Sequence, residues 1–232
     1  MYEHLDRQQK ESLVKYLKEF ITTERLQRFE EVLEARTRHI TVVLEDIYQP
    51  HNASAVLRSC DCFGVQDVHI IENKNTYTVN PQVAMGASKW LSIYKYNLKS
   101  CNTVTCLDTL KDKGYKIAAM SPSNDAMSIF DFDVSEKFAL LFGTEMHGLS
   151  KQAVDNADAF VKIPMYGFTE SFNISVTVAL SLFHFTNQLR GLKKNVYRLT
   201  EEDKTDVYLG WLSNSLKNSS ILINNFIKEK TA

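Results

Sequence analysis

Residues 138–150 read FALLFGTEMHGLS. Five consecutive apolar residues, Phe138–Phe142, have the length and composition of a strand buried on both faces. The run stops at a turn with two glycines, Gly143 and Gly148, and one carboxylate, Glu145. Ligands of open parallel sheets bind in the crevice beyond the carboxyl ends of the strands, where this turn would stand. Three of the eight glycines (Gly143, Gly148 and Gly167) fall within 25 residues there. Glycine lets a backbone come close to a ligand. Taken alone, the stretch fits a pair of ordinary turns equally well.

Similar runs lie on both sides of it. Ile40–Leu44 (ITVVL), Val68–Ile71 (VHII), Leu91–Tyr94, Lys116–Met120 (KIAAM) and Phe160–Ile163 (FVKI) alternate with helical stretches, one of them near Cys101–Lys113. Strands alternating with helices predict βαβ crossovers, hence an α/β fold with a parallel sheet over residues 40–190. Residues 1–39 are predicted to form an N-terminal helical extension, with Leu13, Leu17, Phe20, Leu26, Phe29 and Leu33 at helical spacing. This stretch holds eight basic and eight acidic residues. It reads either as amphipathic helices covering a core or dimer face, or as an RNA-gripping arm using Arg25, Arg28, Arg36, Arg38 and His39. Residues 191–232 are predicted as a C-terminal helical extension with Trp211, Leu212, Leu216 and Phe226 among its apolar positions. Residues 190–232 carry eight basic and five acidic side chains, against 11 and 15 in residues 40–189. The termini are thus less acidic than the core, which hints that they face a polyanion.

Composition narrows the class. Of 232 residues, 27 are basic and 28 acidic, for a net charge of −1, which excludes a uniformly cationic protein while permitting a local basic face. The five-residue run at Phe138 is the longest apolar one, far short of the roughly 20 residues of a bilayer span. No charged-then-apolar leader precedes the first helix, so a cytoplasmic protein is expected. The four cysteines (Cys60, Cys62, Cys101 and Cys106) lack the spacing of a zinc site. Even with His51 and His69 flanking the first pair, they read as buried, reduced thiols, and no metal is expected.

Two further segments could carry chemistry. Residues 50–58, PHNASAVLR, follow the first strand where a dinucleotide-binding protein would have its glycine-rich turn. This loop has no glycine, which argues against a nicotinamide or flavin oxidoreductase. Asn52 reads as a helix N-cap and Arg58 as a residue less than two turns further on. Residues 163–176, IPMYGFTESFNISV, leave the last strand at a proline and place Ser171 and Asn173 before a helix predicted over Ile174–Leu189.

Together the three segments resemble the three motifs of the SpoU group of SPOUT methyltransferases. The matching positions are Asn52, Ala55 and Arg58; Phe142, Gly143, Glu145, Gly148 and Leu149; and Ile163, Pro164, Met165, Ser171, Asn173, Ser175 and Val176. The resemblance covers about residues 25–190. It implies a parallel-sheet domain with a deep C-terminal trefoil knot, a homodimer, bound S-adenosylmethionine, and methylation of a ribose 2′-hydroxyl in RNA. It further implies a catalytic set of Arg58, Asn52, Glu145, Ser171 and Asn173, and a methyl-donor site of Gly143, Ile163, Met165, Phe172, Leu141, Thr144 and Gly148. His147 falls outside that set, and Glu170 stands where many relatives have glutamine. Arg28, Phe29, Val32, Leu33 and Arg36, just before the first strand, are similar to the branch that methylates guanosine 18 of tRNA, so tRNA is the expected partner. The alternatives are a member of the group acting on ribosomal RNA or another tRNA position, and a non-catalytic RNA-binding protein.

Overall fold

The computed structural model describes residue 2 and residues 4–78, 80–98 and 101–231. Met1, Glu3 and Ala232, at the outer ends of the predicted extensions, lie outside the described residues. In chain order the elements are α1 (Arg7–Lys18), α2 (Thr23–Glu34), β1 (Ile40–Glu45), α3 (Pro50–Phe63), β2 (Asp67–Ile71), α4 (Pro81–Ala84), β3 (Ser92–Tyr96), α5 (Asn102–Asp112) and β4 (Lys116–Met120). They continue with β5 (Met127–Ser128), β6 (Phe138–Phe142), α6 (Lys151–Asp155), β7 (Ala159–Lys162), α7 (Ile174–Gly191), α8 (Lys194–Tyr197), α9 (Glu201–Ser215) and α10 (Ser219–Thr231). These elements form two compact units. One combines residues up to Arg36 with residues from Arg198 on, and the other is Thr37–Tyr197.

The Thr37–Tyr197 unit is built on a seven-stranded sheet ordered β3-β2-β1-β6-β4-β7-β5. Every pairing is parallel, as the α/β expectation required. From β1 the chain lays down β2 and β3 on one side, crosses to the other for β4 and the edge strand β5, and then inserts β6 between β1 and β4 and β7 between β4 and β5. The switch point of the topology therefore lies between β1 and β6, next to the turn at residues 143–150. Strand residues alternate between the two faces. Ile93, Val68, Val42, Leu140, Ala118 and Ala159 stand in register across six strands and share one core with Val178, Leu182 and Phe185 of α7. On the other face Val43, Leu141 and Ile117 pack with Cys106, Leu107 and Leu110 of α5. Burying each such Val or Leu side chain contributes about 1.5–3 kcal/mol. β5, only two residues long, carries no apolar pattern and was not anticipated.

The other unit is helical. Asp6 caps α1 by accepting from the Gln9 amide, and Thr200 caps α9 in the same way through Asp203. Leu13, Leu17, Phe29, Leu33, Leu209 and Leu212 are buried within it. Phe29 meets Tyr208 and Trp211 edge-on, at ring separations of 6.0 and 5.7 Å. The two terminal helical stretches thus share one core.

Candidate active site

A cavity of about 480 Å³ opens beyond the carboxyl ends of β6, β4 and β7. Phe142 ends β6, Met120 and Ser121 close β4, and Lys162 ends β7. Asn52 comes from the first turn of α3 and Asn173 from the start of α7. The turn after β6 is folded tightly on itself. Thr144 and Gly148 exchange two backbone hydrogen bonds of 2.9 and 3.0 Å. Gly148 has a φ of +66°, a left-handed backbone that favours glycine. Gly143 is required for a different reason. A Cβ there would lie 2.3 Å from the carbonyl of Gly148 and 2.5 Å from the nitrogen of Leu149. Any side chain at 143 would push the far arm of the turn away.

Four of the expected catalytic residues, Asn52, Glu145, Ser171 and Asn173, line this cavity, and three of them are joined by hydrogen bonds. Asn52 is buried, and its Nδ2 donates to Glu145 Oε1 at 2.7 Å. It also donates to Gln49 Oε1 at 3.2 Å, while Asn52 Oδ1 accepts from Asn173 Nδ2 at 3.3 Å. Asn173 caps α7, its Oδ1 accepting from the Ser175 amide at 2.8 Å and the Ser175 hydroxyl at 2.6 Å. The cap fixes Asn173, Asn173 fixes the Asn52 amide, and Asn52 holds the Glu145 carboxylate. Asn52 was expected as an N-cap. The helix instead starts at Pro50, whose missing N–H costs nothing at the first position, and Asn52 lies inside the first turn. Its side chain is thereby free to reach across the cavity.

A second carboxylate steadies the same turn from beneath. Glu45, at the end of β1, is buried. It accepts from Thr103 Oγ1 at 2.6 Å, Ser150 Oγ at 2.7 Å and the Ser150 amide at 2.9 Å. Ser150 in turn caps α6. The far end of the 143–150 turn is therefore tied to β1 and α5. Sequence reasoning missed Glu45. The available signal was a carboxylate directly following a wholly buried run. It also missed Gln49 and the β4 exit residues Met120–Pro122, which line the cavity.

Of the expected methyl-donor residues, Gly143, Thr144, Gly148, Ile163, Met165 and Phe172 line the cavity, as does Ser171. Leu141 does not. Its side chain faces α5 on the opposite side of the sheet, and the neighbour that reaches the cavity is Phe142, one alternation further along the strand. Arg58 is exposed on α3 and outside the cavity lining. Six residues beyond Asn52, it lies about 9 Å further along the helix and on another face. Among the arginines expected to face RNA, Arg25 and Arg28 are exposed. Arg25 donates to Ser215 Oγ, and Arg28 pairs with Glu31 at 3.1 Å. Arg36 is 1% exposed, its guanidinium 5.3 Å from the Trp211 ring, so it packs rather than presents a cation. Arg38 is paired with Asp67 at 3.1 Å, with both side chains largely enclosed. His39 is buried between the carbonyls of Val134 and Val196.

Cys60 and Cys106 are buried, whereas Cys62 and Cys101 are exposed, against the expectation that all four are enclosed. His69 stacks on Tyr94 at 4.8 Å. Burial and the nearby Lys113 ammonium lower its pKa to about 3, so it is neutral at pH 7. Burial pushes the Cys106 thiol up to about 12. Among the described residues no three His, Cys, Asp or Glu side chains group as metal ligands, and no helix is long and apolar enough to cross a membrane.

Residues 39–183 match the SpoU rRNA Methylase family. The tRNA (guanosine(18)-2′-O)-methyltransferase of Borreliella burgdorferi is 42% identical over 209 residues, covering 90% of this chain and 93% of that protein. The enzyme of the same name from Thermus thermophilus is 34% identical over 82% of this chain and 97% of its own. Among solved structures, the A. aeolicus TrmH/SpoU tRNA modifying enzyme superposes with a TM-score of 0.73 at 28% identity, over 83% of this chain and 97% of that one.

Proposed function

As this chain belongs to the SpoU rRNA Methylase family, we propose that it transfers a methyl group from S-adenosylmethionine to the ribose 2′-hydroxyl of guanosine 18 in tRNA. The observation that carries the reading is the chain of side chains from Asn173 through Asn52 to Glu145, built into one cavity at the switch point of the sheet. The names of the two relatives that align over most of this chain, at 42% and 34% identity, support the tRNA nucleotide. The cavity suits the donor. Phe142, Ile163 and Phe172 offer apolar walls for an adenine ring. Among the described residues that line it, only Glu145 and Lys162 carry a formal charge, and a carboxylate favours a sulfonium cation. When bound, S-adenosylmethionine supplies a methyl group whose leaving atom needs no acid. The protein's task is then to position the ribose hydroxyl and ease the loss of its proton.

Asn52 serves the first need, because its amide is fixed by partners on both sides. For the second, the hydroxyl proton passes to solvent water, while Arg58, permanently charged and unable to accept it, holds an RNA phosphate and stabilises the developing alkoxide. Since Arg58 stands outside its own cavity, it acts from a second copy of the chain. Val176, Leu180 and Phe183 form an exposed apolar stripe on α7 at spacings of four and three residues, a face suited to a homodimer. The trefoil knot belongs to the same proposal, as does action on tRNA in the cytoplasm. The test is methyl transfer from labelled S-adenosylmethionine to an unmodified tRNA transcript and to one with guanosine 18 substituted. Incorporation lost with the substitution is expected. Undiminished incorporation would move the target nucleotide elsewhere, and none at all would refute tRNA as substrate.

A further inference from the structure

A second cavity, of about 600 Å³, adjoins the first and shares Pro122, Lys162, Ile163 and Met165 with it. Its rims are held together by Lys162, whose Nζ donates to the Asn124 carbonyl at 2.7 Å. On its loop side stands Phe168, a residue fully exposed at 109%. Leaving a phenylalanine in water forgoes about 1.5–3 kcal/mol of burial, and nothing within the Thr37–Tyr197 unit recovers it. We infer that this second cavity is a slot for the nucleobase of the methylated nucleotide, with Phe168 as its stacking ring. The inference rests on the ribose methylation proposed above. In a ribonucleotide the base is carried by C1′ and the reacting hydroxyl by the adjacent C2′. A ribose whose hydroxyl enters the first cavity must place its base within a few ångströms, which is where the shared wall puts the second. RNA-modifying proteins recognise unpaired bases by stacking them on aromatic rings, each worth about 1–3 kcal/mol.

The test is a thermodynamic cycle read by equilibrium binding, so that it does not depend on turnover. Dissociation constants are measured for the full chain and for Phe168→Ala. The ligands are a tRNA transcript and the same transcript with an abasic ribose at the methylated position. Phe168→Ala is expected to weaken the intact transcript about tenfold and to leave the abasic one unchanged. Phe168→Trp retains binding, and S-adenosylmethionine affinity stays within twofold throughout. An equal penalty on both transcripts would overturn the slot, since the ring would then touch another part of the RNA. Loss of methyl-donor affinity would show instead that Phe168 closes over the first cavity. A change in oligomeric state would assign the ring to a second copy of the chain. A normal binding cycle without methyl transfer would leave the slot standing and defeat the methylation reading alone.

Discussion

Replacing Gly143 by alanine is the sharpest probe of the site's backbone. The new Cβ would stand 2.3 Å from the Gly148 carbonyl, whereas ordinary contact begins at 3.4 Å, so the two arms of the turn must separate by about 1 Å. The bonds between Thr144 and Gly148, now 2.9 and 3.0 Å, would stretch beyond hydrogen-bonding range. Two lost hydrogen bonds cost about 1–3 kcal/mol. If the methyl donor is held by this turn, that cost falls on its affinity, a loss of about five- to 150-fold. The turn's tip, Glu145–Gly148, is exposed, so the melting temperature should fall by only a few degrees. Calorimetric titration with S-adenosylmethionine reads the effect. Gly148→Ala is the comparison, because a Cβ there meets open space but must accept a φ of +66°, at a cost of about 1–2 kcal/mol. Donor affinity within twofold of the parent for Gly143→Ala would refute both the crowding argument and the assignment of the turn.

Three other outcomes follow from the same geometry. Arg58→Ala should lower methyl transfer by about a hundredfold or more while leaving donor affinity and oligomeric state unchanged. Retention of near-parental turnover would remove Arg58 from the mechanism. Asn52→Asp replaces the donor to Glu145 with a second carboxylate at 2.7 Å. Turnover at pH 8 should drop about ten- to a hundredfold and recover in part towards pH 6 as the pair shares a proton, which a pH–rate profile would reveal. His69 is held neutral in the fold with its pKa at about 3, while the unfolded chain binds a proton below about pH 6.5. Its contribution is complete above pH 6.5 and is lost as pH falls towards 3, at up to about 1.4 kcal/mol per pH unit. His69→Phe keeps the ring stack and should flatten the fall in urea-unfolding stability between pH 6.5 and 4.5. Equal slopes in the two proteins would contradict the assignment.

What the sequence disclosed was governed by local pattern. β1, β4 and β6 are short runs buried on both faces, and such runs announce themselves. β5 is two residues paired to β7, with no apolar pattern to read. β3 begins at Ser92 rather than Leu91. Its register is set by partners in β2, and Gln66 Nε2 donates to Ser92 Oγ, contacts that no window of sequence contains. The arginines show the same limit. Arg36 and Arg38 read as surface cations by type. Trp211 and Asp67 enclose them from sequence separations of 175 and 29 residues. Asn52 and Asn173 were legible as site residues through their motifs, but their mutual hydrogen bond was not.

That hydrogen bond joins residues 121 positions apart, and the one from Asn52 to Glu145 spans 93. Glu45 reaches across 58 and 105 positions to Thr103 and Ser150. A chain growing from the ribosome therefore acquires its last strand, which ends at Lys162, before Asn173 completes its site. When β6 has emerged, Asn52 has neither Glu145 nor Asn173 to orient it, and the pocket still lacks the 143–148 turn and the residues from Val161 to Thr177. Occupancy of the pocket is consequently a timestamp for synthesis as far as the first turn of α7. A premature stop before Asn173 should leave a sheet-bearing fragment that is blind to the methyl donor.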